Sequence, residues 1–126
     1  MARNTQQKRA ILEVLENAER PLSIEEVYAL AQKQCQGIGI ATVYRNLKTL
    51  IEDGRLKGLD LPGGSMVYEM SEKEHHHHFS CLGCKKVFDV DVCFVRFDKL
   101  IPEGFSLHQH EILLSGLCKT CSTKEN

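Results

Sequence analysis

The chain has 126 residues, 42% of them hydrophobic and 26% charged, and a net charge of −1; this reads as an ordinary soluble globular protein of one domain or two small ones. Runs of about eighteen apolar residues and an apolar signal core at the N-terminus are both lacking, so the expectation is a cytoplasmic protein with no membrane partner. So balanced a charge leaves any nucleic-acid binding to a local surface.

The N-terminal half has helical periodicity. Ala10, Ile11, Val14, Leu15 and Ala18 recur at spacings of three and four behind Thr5, a candidate cap, and predict a first helix. Ser23-Ile24-Glu25-Glu26 is a capping-box pattern that opens a second helix, with Val27, Leu30 and Ala31 on one face. A third helix is predicted over about 41–53, with Val43, Leu47, Leu50 and Ile51 as its buried stripe and Gly54 as its stop. Its outer face carries Ala41, Thr42, Tyr44, Arg45, Lys48 and Thr49. Such faces are commonly just solvated. Here a predicted hairpin follows, with strands over 55–60 and 66–70 and a Pro62-Gly63-Gly64-Ser65 turn. Three helices and a hairpin make a winged helix-turn-helix, whose third helix enters the DNA major groove.

Charge supports this mildly, with nine Lys/Arg against eight Asp/Glu over 1–60 and seven against nine over 61–126. Few phosphate contacts imply modest affinity for a monomer, so a homodimer on two half-sites is expected. Residues 71–74 are a charged connector, read as a hinge between a DNA-binding domain at 1–70 and a second domain at 75–126. Beyond it come Phe79, Val87, Phe88 and Val90, then a strand-like stretch at 105–114, with a helix expected over 92–100 between them. The fold class is therefore α+β, a winged helix-turn-helix domain plus a small C-terminal α/β domain with a mixed sheet. The polar tail at 122–126 is expected to fray.

Six cysteines could form three disulfides, but a reducing cytoplasm argues against that and two C-x-x-C pairs point to thiolate metal ligation, with a redox pair as the alternative. Cys81, Cys84, Cys118 and Cys121 complete a closed tetrahedral set for a structural zinc ion. Zinc binding on the order of 10 kcal/mol would stabilise a half-chain too small to be secure alone. Cys35 and Cys93 read as small buried hydrophobes. His75 to His78 form a run of four histidines. On a strand, His76 and His78 share one face and His75 and His77 the other, so one run can serve two sites. Glu69 and Asp89 are carboxylates near the first face, and His108 and His110 lie two apart for the second. Such a nitrogen and oxygen set suits iron(II), zinc, manganese or nickel alike. A solvated polyhistidine loop is the bland alternative, and His108 by itself reads as surface.

Taken together, ATVYRNLKTLIEDGRLKG, GGSMVYE, HHHHFSCLGCKKVFD and HQHEILLSGLCKTC, in that order and spacing, resemble the ferric uptake regulator family of bacterial metal-responsive transcription factors over nearly the whole chain. The resemblance implies an N-terminal winged-helix DNA-binding domain and a C-terminal dimerisation domain. It also implies structural Zn2+ on Cys81, Cys84, Cys118 and Cys121, and a regulatory divalent metal (Fe2+ or Zn2+, with Mn2+ or Ni2+ as alternatives) on Glu69, His76, His78 and Asp89. An additional metal is implied on His75, His77 and His110, and DNA contacts from Tyr44 and Arg45, which the helix face extends to Thr42 and Lys48. Four departures stand out: Pro21 replaces a ligating histidine, Arg96 an acid of the additional site, and Lys85 a common glycine, while the N-terminal extension is short. The function so implied is a non-enzymatic, metal-responsive repressor of metal-homeostasis genes, iron-type first, with zinc-uptake or peroxide-responsive regulation as alternatives. A metallohydrolase lacks its H-E-x-x-H or H-x-E with P-C-x-x-C signature, and a metal-buffering protein has no use for the outer face of the third helix.

Overall fold

The protein is described here by a computed structural model covering residues 2–93 and 97–125. It divides into two compact units, Met1–Lys73 and Glu74–Asn126.

The first unit contains α1 (Ala2–Asn17), α2 (Ile24–Gln34), α3 (Ile40–Glu52), β1 (Leu56–Asp60) and β2 (Met66–Met70). Thr5, expected as a cap, lies inside α1, which begins at Ala2. The capping box of α2 is fully made. Glu26 N–H donates to Ser23 Oγ at 3.2 Å, and Ser23 N–H donates to Glu26 Oε1 at 3.0 Å. Arg20 pairs with the same carboxylate. Burial pushes the Glu26 carboxyl up, but Arg20 and the Ser23 amide outweigh it and hold the group below its ordinary value.

β1 and β2 pair antiparallel, from Leu56 opposite Met70 to Asp60 opposite Met66. Their turn passes through Gly63 at φ 95° and Gly64 at φ 89°, left-handed conformations that side chains disfavour. Leu22 adds an antiparallel bridge to Tyr68, exchanging amide hydrogen bonds of 3.0 and 2.8 Å. One apolar core unites these elements: Ile11, Val14, Leu15, Leu22, Val27, Ala31, Ile38, Val43, Leu47, Leu56 and Tyr68. Ile51, expected in the buried stripe of α3, is 40% exposed, and Leu30, expected on one face with Val27 and Ala31, is 38% exposed; each sits at the margin of its helix's apolar stripe.

The second unit is a three-stranded mixed sheet of order β4-β3-β5, built from β3 (His77–Cys81), β4 (Val87–Val90) and β5 (Leu113–Gly116). β3 pairs antiparallel with β4 and parallel with β5. Of the strand expected over 105–114, only Leu113 and Leu114 are in a strand, as the start of β5, because the short β3 offers partners only from His78, opposite Leu113, to Cys81, opposite Gly116. Of the helix expected over 92–100, the described part is a 3-10 turn at Phe97–Lys99; residues 94–96, and with them Arg96, lie outside the described residues. The tail expected to fray is instead a helix, α4 (Lys119–Glu125), with Thr123 Oγ1 bonded to Lys119 O at 2.8 Å. Among the described residues of this unit, only His77, Cys81 and Val87 are buried.

Candidate metal centres

The two C-x-x-C pairs meet because β5 runs parallel to β3. Register places Cys81 opposite Gly116 at the ends of these strands, so the chain leaving β5 delivers Cys118 and Cys121 to the knuckle after Cys81. The four sulfurs lie within 4.8 Å of one another. Cys84 Sγ and Cys118 Sγ are 3.9 Å apart, against about 3.8 Å for two sulfurs on one tetrahedral zinc with bonds of 2.3 Å. The amides of Cys84 and Cys118 both donate to Cys81 Sγ at 3.4 Å. These bonds, the Cys118 amide foremost, lower the Cys81 thiol to about 6, while a hydrogen bond to Cys81 raises Cys121 to about 12. One thiolate is thus already favoured at neutral pH, and an ion would take the proton's place on the others. Gly83 makes the approach feasible, since a Cβ there would stand 2.9 Å from Cys121 Sγ. Lys85, which follows the second cysteine of the first pair, keeps a left-handed φ of 66°. The donor set and spacing fit a closed, structural zinc site.

His78 lies directly opposite Asp89 in the β3–β4 pairing. His76 Nε2 and His78 Nε2 are 3.7 and 3.8 Å from Asp89 Oδ1, and the two rings are 4.7 Å apart. These separations are too long for hydrogen bonds but shorter than twice a metal–ligand bond of about 2.1 Å. His76 Nδ1–H donates to Glu74 O at 2.6 Å, the arrangement that fixes a ligating imidazole with its Nε2 lone pair toward the ion. Glu69, the fourth residue expected here, is a buried carboxylate on β2 of the first unit, opposite Lys57 and 3.9 Å from Lys73 Nζ. Pro21 is buried and offers no ligand atom.

On the other side of the histidine run, His75 Nε2 and His110 Nε2 are 3.1 Å apart. The His77 ring lies 4.7 Å from that of His75 and 5.1 Å from that of His110. Burial first, and then the neighbouring imidazoles of His75 and His110, depress the His77 pKa, favouring the neutral ring that ligates. A residue the sequence reading assigned elsewhere joins them. Cys93, expected to be a buried hydrophobe, is exposed, with Sγ 3.5 Å from His110 Nε2. Nothing in the sequence pairs it with another ligand, so spacing gave no signal for it. Cys35, the other such residue, is half-buried. His108 is exposed and belongs to none of the clusters formed by the described residues.

In the first unit, Val43 and Leu47 turn the inner face of α3 into the core. Tyr44 (58% exposed), Arg45 and Lys48 lie on the outside, and Thr42 is half-buried. Arg45 Nη2 donates to Thr42 Oγ1 at 3.1 Å, which steers the guanidinium along the helix. Among the described residues, no helix is long and apolar enough to cross a membrane.

A winged-helix unit joined to a unit with thiolate and imidazole clusters defines a metal-responsive regulator. The model of the ferric uptake regulator family matches residues 1–115. The ferric uptake regulation protein of Cupriavidus metallidurans is 36% identical over 112 residues, 86% of this chain and 78% of that protein. The Helicobacter pylori ferric uptake regulator, described as having three functional metal binding sites, superposes with a TM-score of 0.74 at 26% identity, covering 92% of this chain and 79% of that one. FurB, a zinc uptake regulator of M. tuberculosis, matches at 30% identity with a TM-score of 0.55, covering 95% of both chains. The chain belongs to the ferric uptake regulator family of metal-responsive transcription regulators.

Proposed function

We propose that the protein is a homodimeric repressor of metal-homeostasis genes that binds palindromic half-sites on double-stranded DNA when iron(II) occupies a site made by Glu69, His76, His78 and Asp89. The convergence of His76, His78 and Asp89 carries this reading. They stand just past the charged connector at 71–74, and Glu69 stands just before it. A bound ion supplies a multivalent positive centre that holds these groups together. His76 and His78 contribute imidazole nitrogens, Asp89 balances the charge, and Glu69 ties in the strand that ends the wing. Cys81, Cys84, Cys118 and Cys121 hold structural zinc. Thr42, Tyr44, Arg45 and Lys48 face the DNA, with Arg45 suited to bidentate contact with guanine and Lys48 to phosphate.

The ion acts by differential affinity. Binding the DNA-competent arrangement about 100-fold more tightly supplies about 2.7 kcal/mol toward it. In an anaerobic gel-shift titration, iron(II) is expected to raise operator affinity, and Glu69→Ala or His76→Ala to abolish that increase while metal-free binding stays the same. An affinity indifferent to both iron(II) and Glu69→Ala overturns the reading.

Zinc as the sensed ion is the second reading, favoured by the imidazole-rich set and by the likeness to FurB. Parallel titrations with zinc and iron(II), together with metal analysis of protein purified from its native host, decide between them.

A further inference from the structure

We infer that Cys93 is a thiolate ligand of the second histidine cluster, which makes His75, His77, Cys93 and His110 a mixed nitrogen–sulfur site that takes a thiophilic divalent cation, zinc(II) above all, in preference to iron(II) or manganese(II). The inference is independent of the reading built on His76 and His78.

One ligand atom from each of these residues lies within 4.8 Å of the others. The separations agree with a single small ion. On a tetrahedral zinc, bonds of 2.3 Å to sulfur and 2.0–2.1 Å to nitrogen give edges of about 3.6 Å between sulfur and nitrogen and about 3.3 Å between nitrogens. The observed edges are 3.5 Å for Cys93 Sγ to His110 Nε2 and 3.1 Å for His75 Nε2 to His110 Nε2. Phe97 packs on the His110 ring, with centroids 4.0 Å apart, and so fixes one edge of the cluster.

His77 explains why a sulfur is needed. Its Nε2 is buried and has no hydrogen-bond partner among the described residues, an arrangement that costs about 1–3 kcal/mol. Its Nδ1, however, accepts the Ile112 amide at 3.2 Å. A ligating histidine ordinarily donates from its second nitrogen, which makes the first more basic. Here the second nitrogen accepts, so the neutral ring carries its proton on Nε2, and an ion must displace that proton to bind there. His77 is thus the poorest nitrogen of the set. A nearby thiolate makes up the charge and donor strength it lacks, and thiolate selects zinc over iron(II) and manganese(II).

The test uses full-length protein kept anaerobic and depleted by a weak chelator until one zinc per chain remains, then titrated with cobalt(II) as a spectroscopic probe. The wild type is expected to take up two further cobalt ions per chain, one at the sulfur-free set of His76, His78 and Asp89 and one at the second cluster with a sulfur-to-cobalt charge-transfer band in the near ultraviolet. Cys93→Ser is expected to lose that band and to bind zinc more than about tenfold more weakly, since disturbing even an outer-sphere partner costs 10–100-fold. His110→Ala is expected to lose the ion that carries the band and to keep the other. An undiminished band in Cys93→Ser, or two wild-type cobalt ions with no such band, overturns the assignment. An independent readout is alkylation followed by mass spectrometry. Saturating zinc is expected to slow modification of Cys93 at least about tenfold and to leave Cys35 unchanged; equal Cys93 labelling with and without zinc overturns it.

Discussion

The two units solve the same problem by different chemistry. In Met1–Lys73, eleven buried side chains from three helices, their connecting segments and a hairpin close a single apolar core. Among the described residues of Glu74–Asn126, three short strands enclose little besides Val87, and the other buried groups are Cys81 and His77, each a member of a ligand cluster. Leu82, Leu100, Phe105, Leu113 and Leu114 are exposed there. The first unit is thus held by hydrophobic burial, while the second, with so small a buried core among its described residues, depends more on what its ligand clusters can hold. The difference teaches that a small domain can place its stabilising groups where they also sense its environment.

The largest expected effect comes from removing the structural ion. Zinc binding on the order of 10 kcal/mol is folding free energy for a unit with so small a core. Cys81→Ser, or exhaustive chelation, is therefore expected to strip amide-exchange protection from Glu74–Asn126 and leave it intact in Met1–Lys73. Loss of protection in both units together would break the comparison.

Leu47→Ala should do the reverse. Emptying a site that is 1% exposed in the apolar core is expected to destabilise the first unit by about 2–5 kcal/mol, read by thermal unfolding, with zinc content unchanged. Ser23→Ala removes the side-chain half of the α2 capping box and is expected to destabilise the same unit by about 1 kcal/mol. Because the folded Glu26 carboxyl lies below its ordinary value of 4.5, its contribution is present above about that pH and is lost as pH falls through the folded value. Glu26→Gln should therefore reduce stability at neutral pH and make no difference in stronger acid, as followed by the acid unfolding of α-helix. The smallest effect is at Lys85, where a left-handed residue with a side chain carries about 1 kcal/mol of strain. Lys85→Gly is expected to raise the melting temperature of the second unit by about 4 °C and to leave zinc stoichiometry at one per four-cysteine set.

The sequence was most legible where a periodic pattern and a stop signal coincide. α2 and α3 follow from apolar spacing with Ser23 and Gly54 as punctuation, and the wing from Gly63-Gly64 between two apolar runs. The mixed sheet was readable from alternation alone, as was the separation of His76 and His78 from His75 and His77. Length was harder. The apolar residues over 105–112 alternate like a strand but follow a Pro102–Gly104 bend, and only Leu113–Gly116 pairs. α4 was not legible because six polar residues and Cys121 carry no apolar stripe. Cys93 was hidden for a related reason, since it meets His110 across 17 residues of chain and such closeness is a product of tertiary folding.

The parallel pairing of β3 with β5 also sets an order of events during synthesis. Cys84 emerges 34 residues ahead of Cys118, a delay of roughly 2–7 s at about 5–20 residues per second. Through that interval the nascent chain presents a bidentate dithiol with a run of imidazoles beside it, while the helical reading head behind it already has every residue of its core. The four-cysteine set can close only once Cys118 and Cys121 have emerged, by which time the first unit already has every residue of its core.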